Sequence, residues 1–312
     1  IKTPEIINLS KIPHICLIGA VKLFILHSKH GGIAEMTRYR AVLAADMDFT
    51  LLLPGQDIPP ENVRAVKRLQ DNGIAFTIAT GRSSFLVGKF AERLGIDIPL
   101  ITGNGGALFD PVSRKDIMSM DFPDSKVREL IRLMAENEVN STLYSVTGIY
   151  FMRCSKRRFF CEDYNRDVEP AKQAPLFDLE DDAWKRDDLP PFNKFLLIDT
   201  PKNVCKKIEG DKDLTVISSG PTFYDIMTAG VSKGKALKDL AGHLNIPQSM
   251  TFAIGDSDND ISMIADAAYG IAMGNACDGA KEAAAYITAA VSEMGFAKAV
   301  DEFVIPTVSK FT

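Results

Sequence analysis

Asp46-Met47-Asp48 sets two carboxylates two residues apart at the end of an apolar run. On an extended chain the two side chains point the same way. As the chain leaves the strand they can diverge into two roles. One carboxylate can attack phosphorus and form an aspartyl-phosphate. The other can protonate the leaving oxygen and then deprotonate the attacking water. Taken alone, the pair is equally a turn after a strand. Ala79-Thr80-Gly81-Arg82 offers a hydroxyl at a strand end, then a glycine and a helix start, which suits a phosphate oxygen. Alone it is also an ordinary helix N-cap. Lys233, in Ser232-Lys233-Gly234-Lys235, supplies a cation of the kind a phosphoryl group in transfer requires. A single helix-start lysine is otherwise a solvated one. Gly255-Asp256-Ser257-Asp258-Asn259-Asp260 crowds three carboxylates into five residues, a costly arrangement without a cation. Oxygen ligands of this kind suit Mg2+. A calcium loop needs Gly at its sixth position and Glu at its twelfth, where Ile261 and Ala267 stand. The other reading is an acidic helix start favoured by the helix dipole.

The elements that must position these residues alternate between short apolar runs and amphipathic helices. Ala41 to Ala45 suits a strand buried on both faces. Glu61 to Asn72 has helical spacing and stops at Gly73; Ile74 to Ala79 is the next strand, Ser83 to Leu94 the next helix and Pro99 to Thr102 a third strand. This rhythm implies right-handed crossovers and a parallel sheet. After about Asp110 it changes. Asp124 to Glu138 reads as a helix, Ser141 to Val146 and Ile149 to Arg153 as a hairpin, then a polar stretch from Glu162 to Pro191, then strands at Phe195 to Ile198, Leu214 to Ser218 and Phe223 to Met227. The parallel pattern returns with a helix over Lys233 to Leu244, a strand over Met250 to Ile254, a helix over Asn259 to Ala267, a strand over Tyr269 to Met273 and a helix over Cys277 to Ala285. The fold class expected is α/β: a doubly wound, Rossmann-like parallel sheet interrupted by an α+β insert. Core residues 36–111 and 227–312 flank an insert at 112–226. Asp46, Thr80, Asn104 and Asp256 all fall at carboxyl ends of expected strands, where open α/β sheets bind ligands.

These four motifs, in this order and each at an element boundary, closely resemble the haloacid dehalogenase superfamily of phosphatases. The likeness runs from Arg40 to Phe303, and the insert lies where that family carries its type-two (IIB) cap. Val231 to Leu237, Gly255 to Asp260 and Asn104-Gly105-Gly106 look like the Cof-type sugar-phosphate phosphatase branch. The resemblance implies Asp46 as nucleophile and Mg2+ ligand, and Asp48 as general acid/base with its backbone carbonyl on the metal. It implies Thr80, Gly81 and Lys233 around the transferring phosphoryl group, with Asn104 and Asn259 as phosphate contacts. It implies Asp256 completing the metal site and Asp260 ligating or orienting from close by. The family usually has glycine after the second Asp; here Phe49 stands there, which narrows the allowed backbone and adds bulk beside the site. Looser forms of the pattern tolerate other residues, so the chemistry stands and leaving-group fit and rate are what Phe49 affects.

The bulk properties agree with such a reading. The chain has 312 residues, 46% hydrophobic and 25% charged, with 36 basic and 41 acidic residues and a net charge of −5, which argues against a general nucleic-acid binder. Five cysteines without a C-x-x-C pair point to reduced thiols in a cytoplasmic protein. Ile12 to Leu26 is apolar but interrupted by Pro13, His14 and Lys22, too short and broken to span a bilayer. Residues 1–35 read as an extension before a domain that begins near Met36. In the insert, Lys156, Arg157 and Arg158 are either a solvated face or a clamp for a second anionic group; Phe151, Phe159, Phe160 and Tyr164 either line a pocket or fill the core. The function expected is Mg2+-dependent hydrolysis of a small phosphomonoester, a sugar phosphate or phosphorylated cofactor, by a monomer or small homo-oligomer. The alternatives are a phosphomutase and a non-catalytic sensor of a phosphorylated ligand.

Overall fold

The structure, a computed structural model, describes residues 38–53, 55–218 and 222–311. The expected extension at residues 1–35, with its apolar run and Cys16, lies outside the described residues.

Five strands form a wholly parallel sheet in the order β14 (Tyr286–Ile287), β13 (Tyr269–Ala272), β12 (Thr251–Gly255), β1 (Ala41–Ala45) and β2 (Ile74–Ile78). Every residue of β1, β2 and β12 is buried, the consequence of apolar strands with helices on both faces. Helix α1 (Pro60–Asp71) starts one residue earlier than its apolar spacing suggests, because Pro60 fits the first helical position. The expected helix from Ser83 is broken. Ser83 caps a single 3-10 turn, and α2 covers only Gly88–Leu94. Beyond β2, the strand expected to extend the parallel sheet touches it through one bridge, Ala79 to Ile101. This β3 (Leu100–Thr102) instead pairs antiparallel with β4 (Ala107–Asp110), which pairs with β5 (Lys115–Ser119). The reversal sits at Gly103-Asn104-Gly105, three consecutive residues with positive φ, and the two glycines carry that conformation without steric cost.

The insert is a six-stranded sheet in the order β10 (Leu214–Ser218), β11 (Phe223–Thr228), β9 (Phe192–Ile198), β6 (Asn140–Ser145), β7 (Gly148–Met152) and β8 (Leu176–Leu179). The hairpin joins β6 to β7 as expected; β8 and the helices α4 (Arg158–Arg166) and α5 (Lys202–Glu209) add to the elements expected there. Side chains alternate across the sheet. Leu143, Phe195, Leu197 and Ile226 pack against Val127, Leu130, Ile131 and Met134 of α3 (Asp124–Glu136), with Trp184 half-buried at the edge under the Arg132 guanidinium. Tyr144 and Leu196 point the other way and join the apolar cluster of the parallel-sheet core. One face of the insert sheet therefore rests on the core.

The chain returns through α6 (Lys233–His243), α7 (Ile261–Asp266), α8 (Asp278–Ala283), α9 (Gly295–Ala299) and α10 (Ile305–Ser309). Among the described residues, no helix is long and apolar enough to cross a membrane.

Candidate active site

The parallel register brings the motifs to one edge of the sheet. Ala45 sits beside both Ile254 and Ile78, so the next residues of each strand emerge together. The Asp46 amide donates to the Ile254 carbonyl at 2.9 Å and the Thr80 amide to the Ile101 carbonyl at 2.9 Å; the Asn104 amide donates to the Thr80 carbonyl at 2.9 Å. Asp46, Thr80, Asn104 and Asp256 are all buried at this carboxyl edge.

Lys233 lies at the centre. Its ammonium, fully buried, donates to Asp46 Oδ1 at 2.6 Å and to Asp260 Oδ1 at 2.7 Å. Two close backbone approaches fix it and its partner. Ser232 caps α6 by accepting the Lys235 amide, and a Cβ on Gly105 would fall 2.2 Å from the Ser232 carbonyl oxygen. A Cβ on Gly255 would fall 2.5 Å from the Asp260 side chain. Asp260 Oδ2 accepts the amides of Asp256 and Ser257, each at 3.0 Å, which locks the acidic loop.

Carboxylate oxygens of Asp46, Asp256 and Asp260 all lie within 4.8 Å of one another, against the one ammonium of Lys233. Burial, and then the charge of Asp260, holds the Asp46 carboxyl well above the usual carboxylate range despite Lys233. The same two causes push Asp256 up to about 7. Burial opposes charge on Lys233, but Asp260 and Asp46 outweigh it and keep the ammonium protonated. This excess of hard oxygen ligands fits a divalent cation.

Asp48 turns away from the cluster and receives a two-pronged contact from Arg82, at 2.7 and 3.1 Å. Arg82 borders a cleft of about 630 Å3 whose walls also include Lys89, Phe90, Phe160 and Tyr164. Phe49 adopts φ 63°, the left-handed conformation that glycine favours, with its ring about half exposed at 48%. Asn275 donates to its carbonyl at 3.1 Å. Thr50, two residues past Asp48, donates to Asp256 Oδ1 at 2.9 Å.

The residues expected to contact phosphate form a chain. Asn259 Nδ2 donates to Asn104 Oδ1 at 3.1 Å, and Asn104 Nδ2 donates to Asp225 Oδ2 at 2.8 Å. Thr80 Oγ1 accepts the Arg82 amide at 3.1 Å. The expected residues Asp46, Asp48, Thr80, Gly81, Asn104, Asp256, Asn259 and Asp260 thus stand at the carboxyl edge or on the loops that leave it, and Lys233, the first residue of α6, reaches Asp46 and Asp260 there. Four further residues join them: Arg82, Thr50 and, from the insert, Lys194 and Asp225. Arg82 was visible inside its motif but carried no role. Lys194 and Asp225 had a signal of another kind, a single charge within an apolar strand. The basic run of the insert divides: Arg158 pairs with Asp178 and Glu162, while the Arg157 guanidinium stacks on the Phe160 ring at 3.6 Å. Phe151 is core and Phe159 is exposed.

Residues 43–300 match the family of haloacid dehalogenase-like hydrolases. The chain is 32% identical over 268 residues to the 5-amino-6-(5-phospho-D-ribitylamino)uracil phosphatase YcsE of Bacillus subtilis, covering 85% of this chain and 96% of that one. It is 29% identical over 254 residues to the pyridoxal phosphate phosphatase YbhA of Escherichia coli, covering 77% and 90%. Among solved structures, a sugar phosphatase of haloacid dehalogenase subclass IIB superposes with a TM-score of 0.71 at 25% identity, covering 85% and 99%.

Proposed function

The chain belongs to the haloacid dehalogenase-like hydrolases and is a phosphatase of small phosphorylated substrates, and we propose that it works through an aspartyl-phosphate on Asp46 with Mg2+ at the acidic cluster. The observation that carries this reading is the crowding of Asp46, Asp256 and Asp260 around one lysine, beside a second carboxylate, Asp48, whose partner Arg82 lines a cleft. A buried excess of negative charge is costly and persists where a ligand offsets it.

In the first half-reaction an Asp46 oxygen bonds to phosphorus and the bond to the leaving oxygen breaks. Asp48 gives that oxygen its proton. In the second, water bonds to phosphorus, Asp48 takes the water proton, and the bond from phosphorus to Asp46 breaks. Phosphate leaves and Asp46 is restored. Thr80, the Gly81 turn, Asn104, Asn259 and Lys233 contact the phosphoryl oxygens; Lys233 offsets their charge without moving a proton. Asp46 and Asp256, with the Asp48 carbonyl, would hold the cation and Asp260 orient the loop. The cation, when bound, adds positive charge where phosphoryl oxygens and ionised Asp46 meet.

We read residues 36–111 and 227–312 as the core and 112–226 as the cap, with the first crossing between β4 and β5 and the second within the last residues of β11. The cap closes over the leaving group and limits water to the hydrolytic one. The leaving group occupies the cleft beside Arg82. Its walls mix cations, carboxylates and aromatic rings, a lining suited to a polar, compact organic group such as a sugar or a heterocycle on a ribityl or pyridoxal frame. We place the protein in the cytoplasm as a monomer or small homo-oligomer; the free thiols of Cys154, Cys161, Cys205 and Cys277 suit a reducing compartment. The test is a phosphomonoester panel assayed with Mg2+ and with chelator. Release of phosphate from sugar or cofactor phosphates, lost on chelation, is expected; turnover indifferent to chelation would remove the metal from the scheme.

A further inference from the structure

Two charged residues of the insert are buried against the core. Lys194 on β9 and Asp225 on β11 keep only 5% and 4% of their side-chain surface. The sheet register explains their meeting. Asp225 lies opposite Leu196, and Lys194 is two residues from Leu196, so all three share a face. That is the face whose Tyr144 and Leu196 rest on the core. Lys194 Nζ meets Asp225 Oδ1 at 2.6 Å.

Two bonds of the pair leave the insert. Lys194 Nζ donates to the Gly81 carbonyl at 2.5 Å, and Asp225 Oδ2 accepts from Asn104 Nδ2 at 2.8 Å. A Cβ on Gly81 would lie 3.0 Å from Asn104 Oδ1 and 3.3 Å from Asp225 Oδ2, so these groups are in close contact. A buried ion pair is weak evidence for a stabilising role. Replacing a buried ion pair with apolar residues of similar size is often neutral or stabilising.

What the pair can do follows from the chemistry of an amide. A carboxylate only accepts hydrogen bonds, so Asp225 forces the Asn104 NH2 toward itself and the Asn104 oxygen toward the other side. That oxygen then accepts from Asn259 Nδ2, which leaves Asn259 Oδ1 to accept the Ser257 hydroxyl at 2.8 Å. Ser257 in turn donates its amide to Asp260 at 3.0 Å. One carboxylate on the insert thereby orients two core amides and reaches the acidic loop.

Resting on the reading of Gly81, Asn104 and Asn259 as phosphoryl contacts, we propose that Lys194 and Asp225 are positioning residues that align this phosphate-binding side of the site only when the insert is docked. Turnover is then coupled to closure by a polar link as well as by exclusion of water.

The test uses the full-length protein and p-nitrophenyl phosphate, whose small leaving group asks little of the cap. Lys194→Met and Asp225→Asn are each expected to lower kcat about ten- to a hundredfold, the range seen for residues that orient a ligating group. The inhibition constant for inorganic phosphate should rise with each. Lys194→Met/Asp225→Leu leaves no unpaired charge, so its melting temperature should recover most of the loss seen in the single variants, less the cost of the unpaired Gly81 carbonyl and Asn104 amide, while kcat stays low. A double variant with both recovered melting and wild-type kcat would make the pair purely structural and overturn the proposal. A second cycle stands if that variant does not fold. Asp225→Asn is measured with and without Asn104→Ala, and the two losses should not add. Additive losses would overturn the inference alone. Asn104→Ala with wild-type turnover would instead overturn the phosphate-contact reading and the inference with it.

Discussion

Lys233 at the core crevice and Lys194 on the insert sheet are both buried, and each holds a carboxylate at 2.6 Å. Their surroundings differ in charge. Lys233 sits among Asp46, Asp256 and Asp260, which would carry more negative charge than one ammonium can offset if all three were ionised; burial and their mutual repulsion push Asp46 and Asp256 toward their protonated forms. Lys194 is matched with Asp225 and spends its other contact on a backbone carbonyl. On the proposed reading, the crowded cluster takes a cation and a phosphoryl group from outside the chain. The balanced pair needs nothing and serves to fasten one part of the molecule to another. Burial alone does not separate a reaction centre from a positioning contact; the charge sum does.

The largest effect expected is on chemistry. Asp46→Asn removes the proposed nucleophile and one of the crowded carboxylates together. Turnover should fall by about 10^4-fold or more, while the melting temperature holds or rises because buried like charges are reduced. Calorimetry beside a phosphate-release assay measures both. A variant that unfolds would mean that the cluster is held together by Asp46 rather than strained by it.

Next come the two lysines. Removing one partner of a buried pair costs about 3–5 kcal/mol, so Lys233→Met and Lys194→Met should both melt early. Mg2+ separates them. It should recover part of the loss in Lys233→Met, whose carboxylates can take the cation, and little in Lys194→Met. Equal recovery would erase the distinction between the two clusters.

Phe49 tests a smaller claim. A left-handed conformation costs a residue with a Cβ roughly 1–2 kcal/mol, and Phe49 bears that strain with its ring about half exposed. Phe49→Gly should stabilise the fold by about 1 kcal/mol, read from denaturant unfolding, and leave the Asp48 position intact. A loss of stability would mean that the ring contributes packing that outweighs its backbone.

The smallest effect concerns Asp116 on β5, a part-buried carboxylate with neither a cluster nor a lysine of its own. Burial pushes it up to about 6 from an ordinary 3.8. The folded state therefore holds a proton that the unfolded state has released between those values. Stability falls as pH rises through that window and stays lower above it. Asp116→Asn should raise the melting temperature at pH 7.5 and change it little at pH 4. A gain of the same size at both would exclude titration as the cause.

Much of this was legible in the sequence, for specific reasons. Ala41–Ala45, Ile74–Ile78 and Thr251–Gly255 are apolar throughout, and a strand buried on both faces leaves that mark. The site residues follow such strands directly, so locating the strands located the carboxylates. The three-stranded sheet after Thr102 was less visible, because three successive positive φ values reverse the chain and only two of the residues there are glycine. The helix expected from Ser83 is interrupted at Val87, whose φ of −124° separates the 3-10 turn from α2 at Gly88. Lys194 and Asp225 escaped for a different reason. Each is one charged residue in an apolar strand, and only the pairing of β9 with β11 reveals that they share a face. Phe49 was read as a narrowed backbone at a position that favours glycine, and its φ of 63° is that constraint in structural form.

The central claim is that Asp46 bonds to phosphorus. Its most direct test is to quench the enzyme during turnover, reduce the acyl phosphate with borohydride and map the product by peptide mass spectrometry. The account predicts reduction of the side chain at position 46, dependent on substrate and lost on chelation. Reduction at Asp48 or Asp256 instead, or full turnover by Asp46→Asn, would contradict it.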